Sequence, residues 1–191
     1  MSTGPQEPRF VEYTDDALPA ELRWQVLSFL RIVWPEGFTG DLRYRDWITR
    51  SEYQPYHLLY VAGSLVVSHL EIVDHEVECD GVTYQAQALT GVLTFPSFRR
   101  EGWAGRLVTA ACGRIEAGDA DLGLICCSPE NVGFYAGASG WAPIPGAQVV
   151  VGDGEHAWPT GQSALATFLS EKGNQARDAL SRSPLRLRDE V

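Results

Sequence analysis

The chain has 191 residues, of which 45% are hydrophobic and 21% charged, with 6 Trp, 7 Tyr and 7 Phe, so it has apolar area enough for a core of one domain and is not disordered. Its formal net charge of −10 disfavours nucleic acid and anionic membrane as partners and would gather cations at the surface, although many proteins are acidic for solubility alone. No apolar run nears the roughly 18–20 residues that span a bilayer, and Met1 to Phe10 lack the basic and apolar stretches of a signal peptide, so the expected location is the cytoplasm.

In chain order, Ser2 to Pro8 reads as a loose arm leading into a short strand at Arg9–Tyr13. Asp15 or Asp16 can cap a helix beginning near Leu18-Pro19, in which Leu22, Val26, Phe29, Leu30 and Val33 share a face before Pro35 and Gly37 stop it. Phe38 to Gln54 is too polar for core and too aromatic for a linker, and reads as a shaped surface segment. His57–Ala62 and Ser64–Val73 have the β-branched and aromatic content of a hairpin about Gly63. Asp80-Gly81 is a tight-turn signal, placing a fourth strand at about Thr83 to Thr94.

After Pro96 a helix is predicted from about Gly102 to Ala117, with Leu107, Val108, Ala111 and Ile115 as its buried stripe and Gly118 as its stop. Leu122–Cys127 is a continuous apolar run, the pattern of a strand buried on both faces. A brief helix at Asn131–Ala138 ends at Gly140, Val149–Val151 and Leu165–Leu169 are candidate strands, and Asn174–Ser181 is a candidate helix in a peripheral tail over residues 174–191. The order describes an α/β or α+β domain over residues 1–191, a mixed sheet with helices against its faces. Cys79, Cys112, Cys126 and Cys127 form no metal-binding spacing and read as reduced core thiols. His69, inside a strand, reads as a satisfied core histidine; His57, His75 and His156 make no metal spacing with it, and no metal is expected.

The segment Phe98-Arg99-Arg100-Glu101-Gly102-Trp103-Ala104-Gly105-Arg106 stands between a strand and a helix. Glycine and alanine there admit a ligand close to the backbone, and the first N–H groups of a helix have no internal acceptor, so a pyrophosphate can take them at the positive end of the dipole. Gly-rich turns of this kind also serve dinucleotide sites or packing, though no second glycine turn with a ribose-binding acid supports a dinucleotide fold here.

Arg99, Gly102 and Ala104 match the Q/R-x-x-G-x-G/A motif of the GNAT acetyltransferases, and Tyr135 with Gly140-Trp141 after the buried strand is similar to the end of the same region in that family. The resemblance implies a mixed, mostly antiparallel central sheet flanked by helices and acetyl-CoA as cosubstrate. It places the thioester carbonyl on a backbone N–H near Leu93, between Val92 and Thr94, and the pyrophosphate on Arg99, Arg100, Gly102, Trp103, Ala104 and Gly105. Tyr135 would then protonate the departing thiolate; the alternative for Tyr135 is a core residue. Members of this kind are often dimers.

From about Phe38 to Val151 the chain further resembles the aminoglycoside 2′-N-acetyltransferases, on Gly40-Asp41, Asp46-Trp47, the stretch Ser68-His69 to Gly91-Val92, and Tyr135 with Gly140-Trp141. This implies that Asp41 and Asp46 contact a cationic aminosugar; without the resemblance they read as solvated charges beside Arg43 and Arg45. Where that family has a glutamate that helps deprotonate the amine, this chain has Thr90, and Val191 stands in place of its C-terminal tryptophan. Thr cannot take a proton at neutral pH, so Glu71, Asp74, Glu130 and the Val191 carboxylate remain as sinks, with a water on Thr90 leading to one of them. The implied function is direct acetyl transfer to a primary amine of an aminoglycoside or similar polycation. The alternatives are another small amine or a peptide as acceptor, a CoA- or aminoglycoside-binding module without turnover, and a structural domain.

Overall fold

Residues 6–152 and 154–189 are described by a computed structural model, and they fall into two units: the residues up to Ile72 with Gly91–Leu107, and Val73–Thr90 with Val108 onward. Residues 1–5 of the expected arm and the Val191 carboxylate lie outside the described residues.

In the first unit, β1 (Arg9–Thr14) is followed by α1 (Ala20–Val33), β2 (Tyr56–Ala62), β3 (Leu65–Cys79) and β4 (Val82–Thr94), and α2 (Trp103–Glu116) begins there. β1 pairs antiparallel with β2, and β2 antiparallel with β3. Leu22, Val26, Leu27, Phe29 and Leu30 of α1 are buried with Leu59, Val61, Val66, Leu93 and Trp47; complete burial stabilises by about 1.5–3 kcal/mol for each large aliphatic side chain. The predicted acidic cap is corrected: Pro19 takes the N-cap position, and Asp15 sits in a 3-10 turn, where its carboxylate accepts a hydrogen bond from Arg23 at 2.7 Å. The aromatic segment 38–54 folds as short 3-10 turns at Gly40–Tyr44 and Ser51–Tyr53.

β3 and β4 continue into the second unit, where Asp80 (φ 53°) and Gly81 (φ 75°) make the tight turn between them. β3 runs past the predicted end at Val73 because residues 74–79 alternate exposed and buried, with Val77 and Cys79 inward. After α2 come β5 (Leu122–Cys127), α3 (Val132–Ser139), β6 (Ala142–Pro143), β7 (Val149–Val151), β8 (Trp158–Pro159), β9 (Ser163–Phe168), α4 (Glu171–Leu180) and β10 (Leu185–Leu187). The strand order in this unit is β6-β9-β5-β4-β3-β10-β7-β8. β5 is buried throughout, parallel to β4 and antiparallel to β9. This is the expected mixed α/β architecture, mostly antiparallel.

The expectation of a peripheral C-terminal tail is overturned. Ser170 caps α4 by accepting from the Gly173 N–H at 2.8 Å, and β10 lies between β3 and β7, antiparallel to the first and parallel to the second, with Leu185 and Leu187 buried. Apolar alternation over three residues is too short a signal to find from sequence. The four cysteines are free and buried, and no described helix is long and apolar enough to cross a membrane.

Candidate active site

The turn before α2 has the backbone the glycine motif requires. Arg100 (φ 68°) and Gly102 (φ 84°) both occupy the left-handed region, and a Cβ on Gly102 would meet nothing within 4 Å, so the turn faces open space. The Arg106 N–H bonds to the Gly102 carbonyl at 3.1 Å, which leaves the N–H groups of Trp103, Ala104 and Gly105 ahead of the first helical acceptor, at the positive end of the dipole. Arg99 donates through Nε to the Thr94 carbonyl at 3.1 Å and lies 5.9 Å from the Phe29 ring centroid, pinned at the end of β4. Arg100 is exposed. Trp103 donates to Glu101 at 3.0 Å, packs on Tyr60 at 4.9 Å between centroids, and carries the Arg106 guanidinium 4.5 Å from its ring. These residues fit an anionic, phosphate-bearing ligand.

On β4 the backbone is irregular where the thioester is expected. Gly91, with φ 59°, interrupts the extended backbone inside β4, which the strand otherwise keeps from Val82 to Thr94. Leu93 is buried, its carbonyl accepting from Ser68 Oγ at 2.7 Å, while Val92 and Thr94 are half-buried and the Thr94 hydroxyl lies 2.9 Å from Ser68 Oγ. Thr90 is half-buried on the same strand.

A buried polar network in the first unit was only partly foreseen. Antiparallel register sets His57 opposite Glu71 and His69 opposite Leu59, so the three polar side chains share one face. All three are fully buried. His57 Nδ1 lies 3.1 Å from His69 Nε2, His57 Nε2 lies 3.3 Å from Asp15, and His69 Nδ1 donates to the Gly91 carbonyl at 3.2 Å. Glu71 accepts from Trp47 Nε1 at 2.7 Å and from the Thr49 hydroxyl, and the Arg23 guanidinium lies 4.6 Å from the Trp47 ring centroid.

His69 is the satisfied core histidine that the sequence led us to expect. The expectation that His57 and His69 share no ligand cluster is corrected: strand pairing brings the ligand atoms of His57, His69 and Glu71 within 4.8 Å of one another. Each of those atoms already has a protein hydrogen-bond partner. Burial pushes the Glu71 carboxyl up to about 7 against the hydrogen bonds of Thr49 and Trp47, and burial holds His57 down to about 4 and His69 well below its ordinary value. At Asp15 burial opposes ionisation, but the Arg23 guanidinium bonded to it and the neighbouring His57 outweigh it and keep the carboxyl below its usual range.

Asp41 and Asp46 are exposed, and Arg43 and Arg45 lie over the Tyr44 and Phe38 rings, at 4.6 and 4.9 Å from the centroids. Both acids belong to the segment that delivers Trp47 and Thr49 to Glu71.

In the second unit, α3 carries Tyr135 half-buried, its ring 4.9 Å from that of Phe134. Burial, and secondarily Cys127, push the phenol up to about 12, so it holds its proton at neutral pH and can only act as an acid there. Trp141 is buried and donates to Glu116 at 2.7 Å. A Cβ on Gly123 would come within 2.5 Å of the Trp141 ring, so the Gly140-Trp141 pair works as packing for β5.

Residues 21–144 match the model of the family described as an acetyltransferase (GNAT) domain; the match takes in more than half of the chain, which belongs to the GNAT acetyltransferases. No curated protein matches it in sequence. Among solved structures, YhbS from Escherichia coli, in complex with CoA, is 13% identical with a TM-score of 0.59, over 100% of this chain and 94% of its own. An aminoglycoside 6′-N-acetyltransferase complexed with coenzyme A is 14% identical with a TM-score of 0.52, over 84% of this chain and 97% of its own. A probable N-acyltransferase from Enterococcus faecalis V583 is 13% identical with a TM-score of 0.53; 71% of this chain is covered, and it spans only 33% of that protein. These likenesses concern the fold.

Proposed function

We propose that the protein transfers the acetyl group of acetyl-CoA directly to a primary amine in the cytoplasm. The observation that carries this reading is the turn at Arg99–Gly105, where two left-handed residues, open space at Gly102 and N–H groups ahead of the first helical bond form a cradle for a pyrophosphate. The irregularity at Gly91 supports a thioester laid along Val92–Thr94. Backbone donors aimed at the developing oxyanion and positioning of the amine supply most of the rate, and Tyr135 protonates the thiolate.

We assign the acceptor to the multiply cationic amines, of which aminosugars are the leading class. The net charge of −10, the exposed Asp41 and Asp46, and a structural neighbour that is an aminoglycoside 6′-N-acetyltransferase support this together; the resemblance in sequence favours the 2′ position. The test is calorimetric titration with CoA combined with a thiol-release screen of aminoglycosides, polyamines, small monoamines and peptides. Micromolar CoA binding with turnover only on polycations is the expected result. CoA binding without thiol release from any amine would establish a binding module, and no CoA binding would defeat the assignment.

A further inference from the structure

The absence of a carboxylate at Thr90 leaves the ammonium of the acceptor without an evident proton acceptor. We propose that Glu71 takes this proton through the Thr49 hydroxyl, beside a His57–His69–Asp15 chain that has room for one further proton. The proposal rests on the transferase reading above and names the group that deprotonates its acceptor.

The position of Glu71 is the first argument. One carboxylate oxygen accepts from Thr49, a half-buried residue three positions after Asp46 in the acidic segment. On its other side, a Cβ built on Gly91 would lie 3.8 Å from Glu71 Oε1 and 3.7 Å from His69 Cε1, so the carboxylate borders the irregularity in β4 assigned to the thioester. It therefore stands between the segment that would hold the amine and the strand that would hold the acetyl group. An ammonium that donates to Thr49 Oγ can lose a proton to that hydroxyl as the hydroxyl passes its own to Glu71 Oε2.

The second argument is a proton count. The chain of contacts Gly91 carbonyl, His69, His57, Asp15, at 3.2, 3.1 and 3.3 Å, contains three hydrogen bonds and ends on an acceptor at each side. Three bonds need three protons, whereas two neutral imidazoles carry two. The Gly91 carbonyl requires the proton on His69 Nδ1, so His69 Nε2 accepts and His57 must donate through Nδ1. His57 Nε2 then faces the Asp15 carboxylate with no proton between them. The network is one proton short, and Glu71 Oε1 lies 3.7 Å from His57 Nδ1 and 3.8 Å from His69 Nε2, beyond hydrogen-bond reach of either ring.

The charged groups around the network are Asp15 from the turn after β1 and Arg23 from α1, which bonds Asp15 at 2.7 Å; Trp47 and Thr49 are neutral. Arg23 fixes Asp15 and opposes a resting positive charge on the rings. Burial has the same effect and keeps both rings neutral beside Glu71. The chemistry balances: the ammonium loses one proton to Glu71, the amine nitrogen bonds to the thioester carbon as the carbon–sulfur bond breaks, and the second nitrogen proton ends on the CoA sulfur. One net proton is released, taken up first by Glu71 and returned to solvent through the same Thr49 hydroxyl once the product has left.

Two measurements decide the proposal. In kcat/KM against pH for an amine from the screen, Glu71→Gln lowers the rate by roughly 10²–10⁴-fold at neutral pH and recovers as pH rises and free amine accumulates, with CoA affinity unchanged. Asp15→Asn, at the outer end of the histidine chain, shifts the same profile by a smaller factor. A Glu71→Gln enzyme with the wild-type profile overturns the assignment. The second measurement is ¹⁵N NMR of the histidine rings in the wild type, which needs no turnover and no variant. It should show His69 and His57 protonated on Nδ1 at neutral pH and a further proton entering at His57 Nε2 as pH falls through about 4. A proton on His69 Nε2, or ring nitrogens unchanged through that fall, overturns it. Wild-type protein that releases no thiol from any amine defeats the transferase reading instead, and the ring titration still decides the proton count.

Discussion

Replacement of Gly102 by valine tests the phosphate cradle, and the structure sets the size of the effect. A Cβ at this position meets no atom within 4 Å, so valine creates no clash with a neighbour; the penalty is the backbone conformation alone. A β-branched residue at φ 84° is strained by about 1–3 kcal/mol, which the turn can relieve by moving to negative φ. That movement swings the N–H groups of residues 103–105 away from a common focus. Hydrogen bonds to a charged phosphate contribute about 1.5–3 kcal/mol each, so the loss of two weakens CoA by roughly 10²–10⁴-fold at about 1.4 kcal/mol per decade. Calorimetric titration with CoA reads the affinity, and a urea melt confirms that the variant is folded, with a midpoint lowered only modestly. Folded Gly102→Val protein that binds CoA as tightly as the wild type would show that the pyrophosphate does not sit on this turn.

Tyr135→Phe should lower kcat by about 10²–10⁴-fold, the range for a positioned acid, with CoA affinity unchanged; wild-type rates would leave the tyrosine a core residue. Asp41→Asn and Asp46→Asn should each raise the acceptor KM, with a loss that shrinks as salt screens the wild-type attraction; equal KM values at low salt would remove these carboxylates from the acceptor site. Stability should fall on acidification from about pH 6.5 to 4.5: His57 and His75, both held down to about 4 by burial, are protonated more readily in the unfolded chain, so they add stability as pH rises across that window. Glu71, raised to about 7, works in the opposite direction, with stability present below its unfolded value and lost as pH rises toward 7. His69, also held well below its ordinary value, adds to the histidine side, so at least one histidine's worth remains, about 3 kcal/mol over the window at ~1.4 kcal/mol per pH unit; a urea midpoint equal at both pH values would contradict this balance.

The elements with long, uniform patterns were legible in the residues. Leu122–Cys127 matches its predicted bounds because a doubly buried strand is apolar at every position, and α2 follows from its stripe of Leu107, Val108, Ala111 and Ile115. β6 and β8, of two residues each, contain no period to read, and their strand character comes from the partners β9 and β7. In the site, the Arg99–Gly105 turn was visible because a local conformation demands glycine. The Glu71 network was not, because its members come from the turn after β1, α1, the aromatic segment, β2 and β3, and only the register of His57 with Glu71 brings them together. The signal was present in outline: His69 and Glu71 stand two apart, on the same side of a strand whose residues from Val66 to Val73 are all buried, and polar groups so placed must be hydrogen-bonded.

The position of β10 bears on how the chain is made. Leu185–Leu187 lie between β3 and β7, so until these residues leave the ribosome both strands have an unpaired edge, and one of them, β3, is also the strand on which His69 and Glu71 are carried. Synthesis runs at about 5–20 residues per second, so for several seconds between the emergence of β3 and that of β10 the edge at Val77 and Glu78 stands open. A shortened product ending before Leu185 retains both open edges permanently, and such edges pair with one another in preference to water-borne partners. Truncation there is expected to favour self-association over a soluble monomer.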